Sequence, residues 1–277
     1  MNNLNFKNIT ENLLDTFLKA GEVAKKISNK GMKITIKADK SPVTNGDLEV
    51  DLILRSKIKN LTKEIPIISE ETVNLEIKNK YKTFWLIDPI DGTKDYIKKR
   101  SEYTLNAALI VNYEPAIGIV YAPAKNRLFY SYGKGSAYEI NSSKKKLECK
   151  SRDDEKVIAL GNSDETSKEI LDIYKKNKVT EIIKMSSSLK FCVLAAGEAD
   201  IYAATARAYE WDIAAGHAIL EHSGGSITTH ENKKFLYGKE NYRNLPLIAK
   251  RFNKDKIWFS TSSCKLIFFF LFLLFYD

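Results

Sequence analysis

Apolar residues recur at Ile9, Leu13, Leu14, Phe17, Leu18, Ala20, Val23, Ala24 and Ile27. Steps of three and four keep one face of an α-helix apolar, so this stretch is predicted to be helical, with Thr10 as its cap. "MKITIK" alternates like a short strand and runs into a Pro-containing loop. A second helix is predicted over "TNGDLEVDLILRSKIKNL". Thr44 is its N-cap and Asp47 its third residue, a pairing close to a capping box. "IPIISEE" and "KTFWLID" are short apolar runs that read as buried strands, each ending in carboxylates.

From Tyr103 to Asn141 strands follow one another, separated by turn signals at Asn112 to Pro115, Pro123 to Asn126 and Gly133 to Gly135. "SSKKKLECKSRDDE" is polar and dense in charge, the best junction in the chain. Beyond it strands and helices alternate in the α/β manner, through "KVIALGN", "DETSKEILDIYKKN", "TEIIKMSS", "SLKFCVLAAGEAD" and "IYAAT". "EWDIAAGHAILEHSGG" is a helix closed by Gly-Gly, and "SITTH" reads as a final strand. The division expected is an α+β part over residues 1–142, an α/β part over 143–250 and a tail over 251–277.

Composition narrows the classes. Apolar residues are 44% and charged residues 29% of 277 positions, an ordinary folded composition. The net charge of +9 comes from scattered lysines rather than a basic stripe interleaved with aromatics, so a nucleic-acid partner is not expected. Three cysteines, Cys149, Cys192 and Cys264, are far apart and form no Cys-x-x-Cys pair, which argues against a disulfide framework or a zinc site. No basic segment followed by an apolar core opens the chain, and cytoplasm is the expected compartment. The tail holds eleven unbroken apolar residues, Leu266 to Tyr276. As a helix they would reach ~16 Å, short of a ~30 Å hydrocarbon core. That tail is the one feature that could bring the chain to the inner face of a membrane.

The chemistry concentrates in carboxylates. Glu70, Asp88 and Asp91 follow apolar strands, and Asp212 stands behind Trp211 at the start of a helix. Strand ends and helix starts are where α/β folds present side chains to a ligand. Clustered carboxylates need a cation between them, and with His nearly absent from these segments and Cys not found in them a hard ion such as Mg²⁺ is favoured. Taken singly, each has a plainer reading: a turn at Asp88-Pro89, a solvated loop at Glu70-Glu71, a helix cap at Asp212. Pro89 and Gly92 favour a tight turn that can face the Ile90 carbonyl inward, and Gly92-Thr93 offer backbone N–H groups to an anion. His217 and Trp211 read as packing residues, and Cys192 as core.

"WLIDPIDGTKDYI" together with "EWDIAAGHAILEHSGG" resembles the paired signature of the inositol monophosphatase-like superfamily of Mg²⁺-dependent, lithium-sensitive phosphomonoesterases. "KADKSPVTNGDLEVD" and "IPIISEE" match its upstream motifs in order, so the resemblance spans roughly residues 10 to 250. Lys94 in "TKDYI" and the segment "SSSLKFCVLAAGEAD" are most similar to the CysQ-type 3'(2'),5'-bisphosphate nucleotidase branch.

The resemblance implies a layered α/β/α/β/α sandwich of the inositol monophosphatase and sugar phosphatase type. It implies roughly two or three Mg²⁺ ions held by Glu70, Asp88, the Ile90 carbonyl, Asp91 and Asp212. Asp47 and Thr93 would orient and deprotonate the attacking water. Glu70, Ile90, Asp91, Gly92, Thr93, Lys190 and Asp212 would contact the substrate. Lys94, Lys98, Lys99, Arg100 and above all Lys190 are the candidates for a second phosphate. The activity implied is removal of the 3'-phosphate of adenosine 3',5'-bisphosphate, a small phosphorylated nucleotide, with its sulfated analogue as a second substrate. An inositol or sugar monophosphate phosphatase is the alternative enzyme, and a silent nucleotide-binding protein the alternative class. Oligomeric state is left open.

Overall fold

The computed structural model describes residues 4–76, 81–150, 156–162 and 166–252. Two long helices come first, α1 (Phe6–Lys30) and α2 (Asn45–Leu61), joined by a hairpin of β1 (Ile34–Ile36) and β2 (Pro42–Thr44). Next are β3 (Ile67–Ser69), β4 (Thr83–Asp91), the one-turn helix α3 (Thr93–Ile97), β5 (Thr104–Val111), β6 (Glu114–Ala122), β7 (Arg127–Ser131), β8 (Ala137–Ile140) and β9 (Lys144–Lys146). The second half contains β10 (Ile158–Gly161), α4 (Lys168–Lys176), β11 (Glu181–Lys184), α5 (Leu189–Ala195), β12 (Ile201–Ala204), α6 (Ala214–His222), β13 (Ser226–Thr229) and β14 (Leu247–Lys250).

Strands β3 to β9 form a seven-stranded sheet in sequence order, parallel only between β3 and β4. The other sheet has the order β11-β10-β12-β14-β13. β11, β10 and β12 run parallel, and β14 runs antiparallel to both its neighbours, β12 and β13. The period of two in a strand sorts the core into layers. Along β4, Trp85 and Ile87 pack under α1 and α2 with Leu13, Phe17 and Leu54. Phe84 and Leu86 face the opposite way, onto α5 and α6. Along β12, Tyr202 and Ala204 share that central layer, while Ile201 and Ala203 meet Ile170 and Tyr174 of α4. The result is helices, sheet, helices, sheet, helix, the layered sandwich expected.

Three expectations are corrected in detail. Helix α1 begins one turn early: Asn5 caps it by accepting from the Asn8 N–H, and Thr10 is buried inside. Asn caps as well as Thr does, and the earlier start puts Ile9 on the packed face. "SITTH" is not the last strand, because β14 inserts between β12 and β13. A four-residue run, "LIAK", is too short for periodicity to mark. The lysine run of the polar junction is β9, which pairs with β8 as the edge of the large sheet. Lysines on an edge strand oppose pairing with another chain. The tail lies outside the described residues from residue 253 on, and no helix among those described is long and apolar enough to cross a membrane.

Candidate active site

Parallel pairing of β3 with β4 brings two strand ends to one edge of the sheet. Ser69 lies opposite Ile87, and the Glu70 N–H continues the pairing onto the Ile87 carbonyl. Glu70 and Asp88 therefore emerge side by side. Beyond Asp88 the register with β5 shifts: Asp88 pairs with Asn106 but Asp91 with Thr104, so one extra residue is accommodated across Pro89-Ile90. Such a bulge re-aims side chains and leaves a carbonyl outside the ladder, and proline, with no N–H to give, suits it. Ile90 and Asp91 both line the cleft that results.

Asp212 arrives from the other half, on the connection between β12 and α6. It does not cap α6, whose N-cap is Ile213 with no side-chain bond. Its Oδ2 accepts the Tyr209 N–H at 2.8 Å, and Tyr209 is stacked on Trp211 with ring centroids 4.6 Å apart. Oxygens of Glu70, Asp88 and Asp212 all lie within 4.8 Å of one another. Burial, and then the charges of Glu70, Asp91 and Asp212, push Asp88 well above the ordinary carboxylate range. Burial, Asp91 and Glu70 do the same to Asp212. Asp91 is pushed up to about 6 by burial, with Lys190 pulling the other way.

The donor set fits a hard cation. Every member is an oxygen ligand, and Asp88 Oδ1 is buried with no hydrogen-bond partner among the described residues. A buried, unpaired carboxylate oxygen facing two more carboxylates is costly unless it coordinates something positive. Lys37, on the loop between β1 and β2, partly offsets this charge by reaching Glu70 at 3.2 Å and Glu71 at 2.7 Å.

Asp47 and Thr93 meet on the same floor. Asp47 closes a true capping box at the head of α2, its Oδ2 accepting from the Thr44 N–H at 2.8 Å and the Thr44 hydroxyl at 2.6 Å. Its Oδ1 remains for the Thr93 hydroxyl at 3.2 Å, and that hydroxyl also lies 3.1 Å from the Ile90 carbonyl. Burial raises the Asp47 carboxyl while the Thr44 and Thr93 contacts hold it back. Gly92 has φ +90, a conformation glycine adopts without strain, and it heads α3.

The walls carry the opposite charge. Lys94, Lys98, Arg100 and Arg207 line a cleft of about 700 Å³ together with Phe191 and Tyr202. Arg100 is already paired with Asp95 at 3.1 Å. Lys190 lines the cleft but is buried, with its ammonium on backbone carbonyls. His217 and Cys192 pack in the interior; His217 holds the Tyr237 hydroxyl at 2.8 Å. Sequence reasoning missed Lys37, Arg207 and Ser188, whose N–H binds Asp91. Lys37 stands in a recognised motif, yet a contact across 33 positions leaves no spacing to read.

Comparison with known proteins agrees with this architecture. The Inositol monophosphatase family model matches residues 6–257. The 3'(2'),5'-bisphosphate nucleotidase CysQ of Buchnera aphidicola is 36% identical over 83% of this chain and 90% of its own. CysQ of Escherichia coli K12 is 35% identical over 75% and 84%. The crystal structure of CysQ from Bacteroides thetaiotaomicron superposes with a TM-score of 0.75 at 30% identity, covering 90% of this chain and 98% of that one. An IMPase/NADP phosphatase complexed with Mg²⁺ and phosphate shares the fold, at 21% identity and a TM-score of 0.70. The chain belongs to the inositol monophosphatase family.

Proposed function

We propose that this protein is a Mg²⁺-dependent 3'(2'),5'-bisphosphate nucleotidase that hydrolyses the 3'-phosphate of adenosine 3',5'-bisphosphate. The single observation that carries the reading is a cleft with two characters. Its floor gathers three carboxylates within 4.8 Å, and its rim is cationic, with Lys94, Lys98, Arg100 and Arg207 along the wall. A monophosphate of a small polyol has one anionic group to place, while a nucleoside bisphosphate has two, and a cationic rim beside the carboxylate floor suits the second. The relatives named CysQ, at 35–36% identity over most of the chain, support the same substrate. The sulfated analogue, 3'-phosphoadenylyl sulfate, presents the same 3'-phosphate and is the second substrate expected.

Glu70, Asp88, Asp91 and Asp212, with the Ile90 carbonyl, would hold the metal. When bound, Mg²⁺ supplies Lewis-acid polarisation of phosphoryl oxygens and makes water a better nucleophile near neutral pH. The chain's own part is positioning and proton transfer. Thr93 Oγ1 orients the attacking water and passes its proton toward Asp47 Oδ1, while Thr44 keeps that carboxylate from rotating. Backbone N–H groups of Gly92 and Thr93 receive the scissile phosphate. The 3'-oxygen leaves with the electron pair of the broken P–O bond and takes a proton from solvent water, while Asp47 gives its proton back to solvent, so the products are AMP and inorganic phosphate.

Phosphate release from adenosine 3',5'-bisphosphate, 3'-phosphoadenylyl sulfate, 3'-AMP and inositol 1-phosphate tests the reading, with and without Mg²⁺ and with added Li⁺. The expected result is the highest kcat/KM on the bisphosphate, dependence on Mg²⁺ and inhibition by Li⁺. A preference for inositol 1-phosphate would overturn it.

A further inference from the structure

We infer that Glu210 is a positioning residue for Asp212: its buried carboxylate clamps the connection between β13 and β14, which in turn fixes the peptide whose N–H holds Asp212. The inference rests on the metal-dependent reading above, because Asp212 acts through the cation it would help to bind.

Glu210 stands two residues before Asp212 and is fully buried. Its Oε2 accepts the Gly238 N–H at 2.9 Å. Its Oε1 accepts the Lys239 N–H at 2.9 Å and the Lys239 ammonium at 2.7 Å. Gly238 has φ +80, which glycine adopts without strain, and two successive N–H groups in such a turn can converge on one anion. The ammonium is enclosed too, 4.9 Å from the centres of both the Phe235 and Tyr237 rings. The main chain of Glu210 is equally engaged: its N–H donates to the Tyr242 carbonyl at 2.8 Å, and its carbonyl accepts the Ala214 N–H of α6 at 3.0 Å.

The clamped connection returns to the metal floor at Asn244. The Asn244 N–H donates to the Ala208 carbonyl at 3.0 Å, and its Nδ2 to the Tyr209 carbonyl at 2.6 Å. The Ala208 carbonyl and the Tyr209 N–H belong to one planar unit and turn together, and that N–H is the group on Asp212 Oδ2. Arg243 adds its guanidinium 3.7 Å from the centre of the Tyr209 ring, which also stacks on Trp211. Residues 208–210 are thus laced to residues 238–244, with Glu210 closing one end and Asn244 the other.

A buried ion pair is a weak means of stabilising a fold, since apolar residues of similar volume often serve as well. What a carboxylate with three converging donors supplies is a single geometry. Set beside Asp212, that geometry bears on the cation: a partner that orients a metal ligand without touching the metal commonly changes metal affinity about 10–100-fold.

The test is calorimetric titration of Mg²⁺ into the substrate-free full-length protein, with urea unfolding alongside. The proteins are wild type, Glu210→Gln, Lys239→Met and the double variant, which removes one charge of each sign and keeps the net charge. Glu210→Gln cannot accept both N–H groups and the ammonium, and it is expected to weaken Mg²⁺ binding about tenfold. Lys239→Met weakens it as well, and the double variant binds like Glu210→Gln. If Glu210 acts only through its charge, Glu210→Gln weakens binding, Lys239→Met tightens it and the double variant matches the wild type, which overturns the inference. If the clamp serves only the fold, the urea midpoints fall while Mg²⁺ binding stays unchanged, which overturns it too. Lys239→Met leaves a buried carboxylate without its cation; should that protein not fold, the double variant decides alone. A wild type that binds no Mg²⁺ removes the metal-dependent reading and this inference together, whereas a wild type that binds it no tighter than the variants removes this inference alone.

Discussion

The hydroxyl of Thr93 lies 3.2 Å from Oδ1 of Asp47, and the other oxygen of that carboxylate is occupied by Thr44. One side chain therefore caps a helix with one oxygen and faces the reaction with the other. The two roles separate by substitution. Asp47→Asn keeps an oxygen for the Thr44 contacts but cannot accept a proton, so kcat falls about 10²–10⁴-fold with little change in stability. Asp47→Ala loses the cap as well and costs about a further 1 kcal/mol. Steady-state kinetics with urea unfolding of both variants checks this. Equal kcat for Asp47→Asn and the wild type would remove Asp47 from the proton path.

Charge repulsion on the floor sets function against stability. Burial and like charges raise Asp88 and Asp212 in the metal-free protein, so Asp88→Asn and Asp212→Asn each remove a source of strain. Both variants are expected to melt higher than the wild type without metal, to lose most of the Mg²⁺-induced rise in Tm, and to lose at least about 10³-fold in kcat/KM. Scanning calorimetry with and without Mg²⁺ reads this directly. A variant less stable than the metal-free wild type would mean these carboxylates serve the fold.

The same carboxylates predict a pH dependence with a definite sign. Burial holds Asp91 up to about 6, and burial with the neighbouring carboxylates raises Asp88 and Asp212 well above the ordinary range. Glu71, buried beside Lys37 and Glu70, is raised to about 7. A folded-state pKa above the unfolded one means the folded protein binds more protons. Stability is then full below the unfolded value of about 4 and falls as pH rises through the folded values. His222 slopes the other way below about 6.5, because burial lowers it to about 4. It is remote from the floor and cancels in the difference made by Mg²⁺. The rise in Tm on adding Mg²⁺ should therefore be larger at pH 8 than at pH 5.5, and an equal rise at both would count against the cluster.

What the sequence makes legible is local. Thr44 and Asp47 are three residues apart, and their capping box is present; the apolar runs around Trp85 and Ile68 are buried strands. Pro89 between two aspartates announces a turn, and the structure makes it a bulge. The layered fold, and Asp212 meeting Glu70 and Asp88 from 142 and 124 positions away (212 − 70 and 212 − 88), came from motif resemblance rather than from spacing. Contacts with no local signature stayed hidden. Lys37 bridging two glutamates and Lys190 gripping a carbonyl depend on how separate elements fold together. Lys190 stands out in the sequence as a candidate for a second phosphate, but its burial and its backbone partners are visible only in the fold.

Gly118 marks a place where the two halves meet at backbone distance. On β6 it faces α6, and a Cβ there would collide with the Ala215 carbonyl and come within 2.7 Å of the Ala218 Cβ. A helix backbone cannot yield as a side-chain tip can, so Gly118→Ala must push α6 outward or bend β6, at a cost of about 1–3 kcal/mol. Helix α6 begins two residues after Asp212, which puts the displacement at the metal floor. Gly118→Ala is therefore expected to unfold at lower urea concentration and also to need more Mg²⁺ for half-maximal activity. Gly118→Ser should be worse on both counts. Lower stability with an unchanged Mg²⁺ requirement would show that α6 can shift without carrying Asp212, and that its position is fixed by the Tyr209 N–H instead.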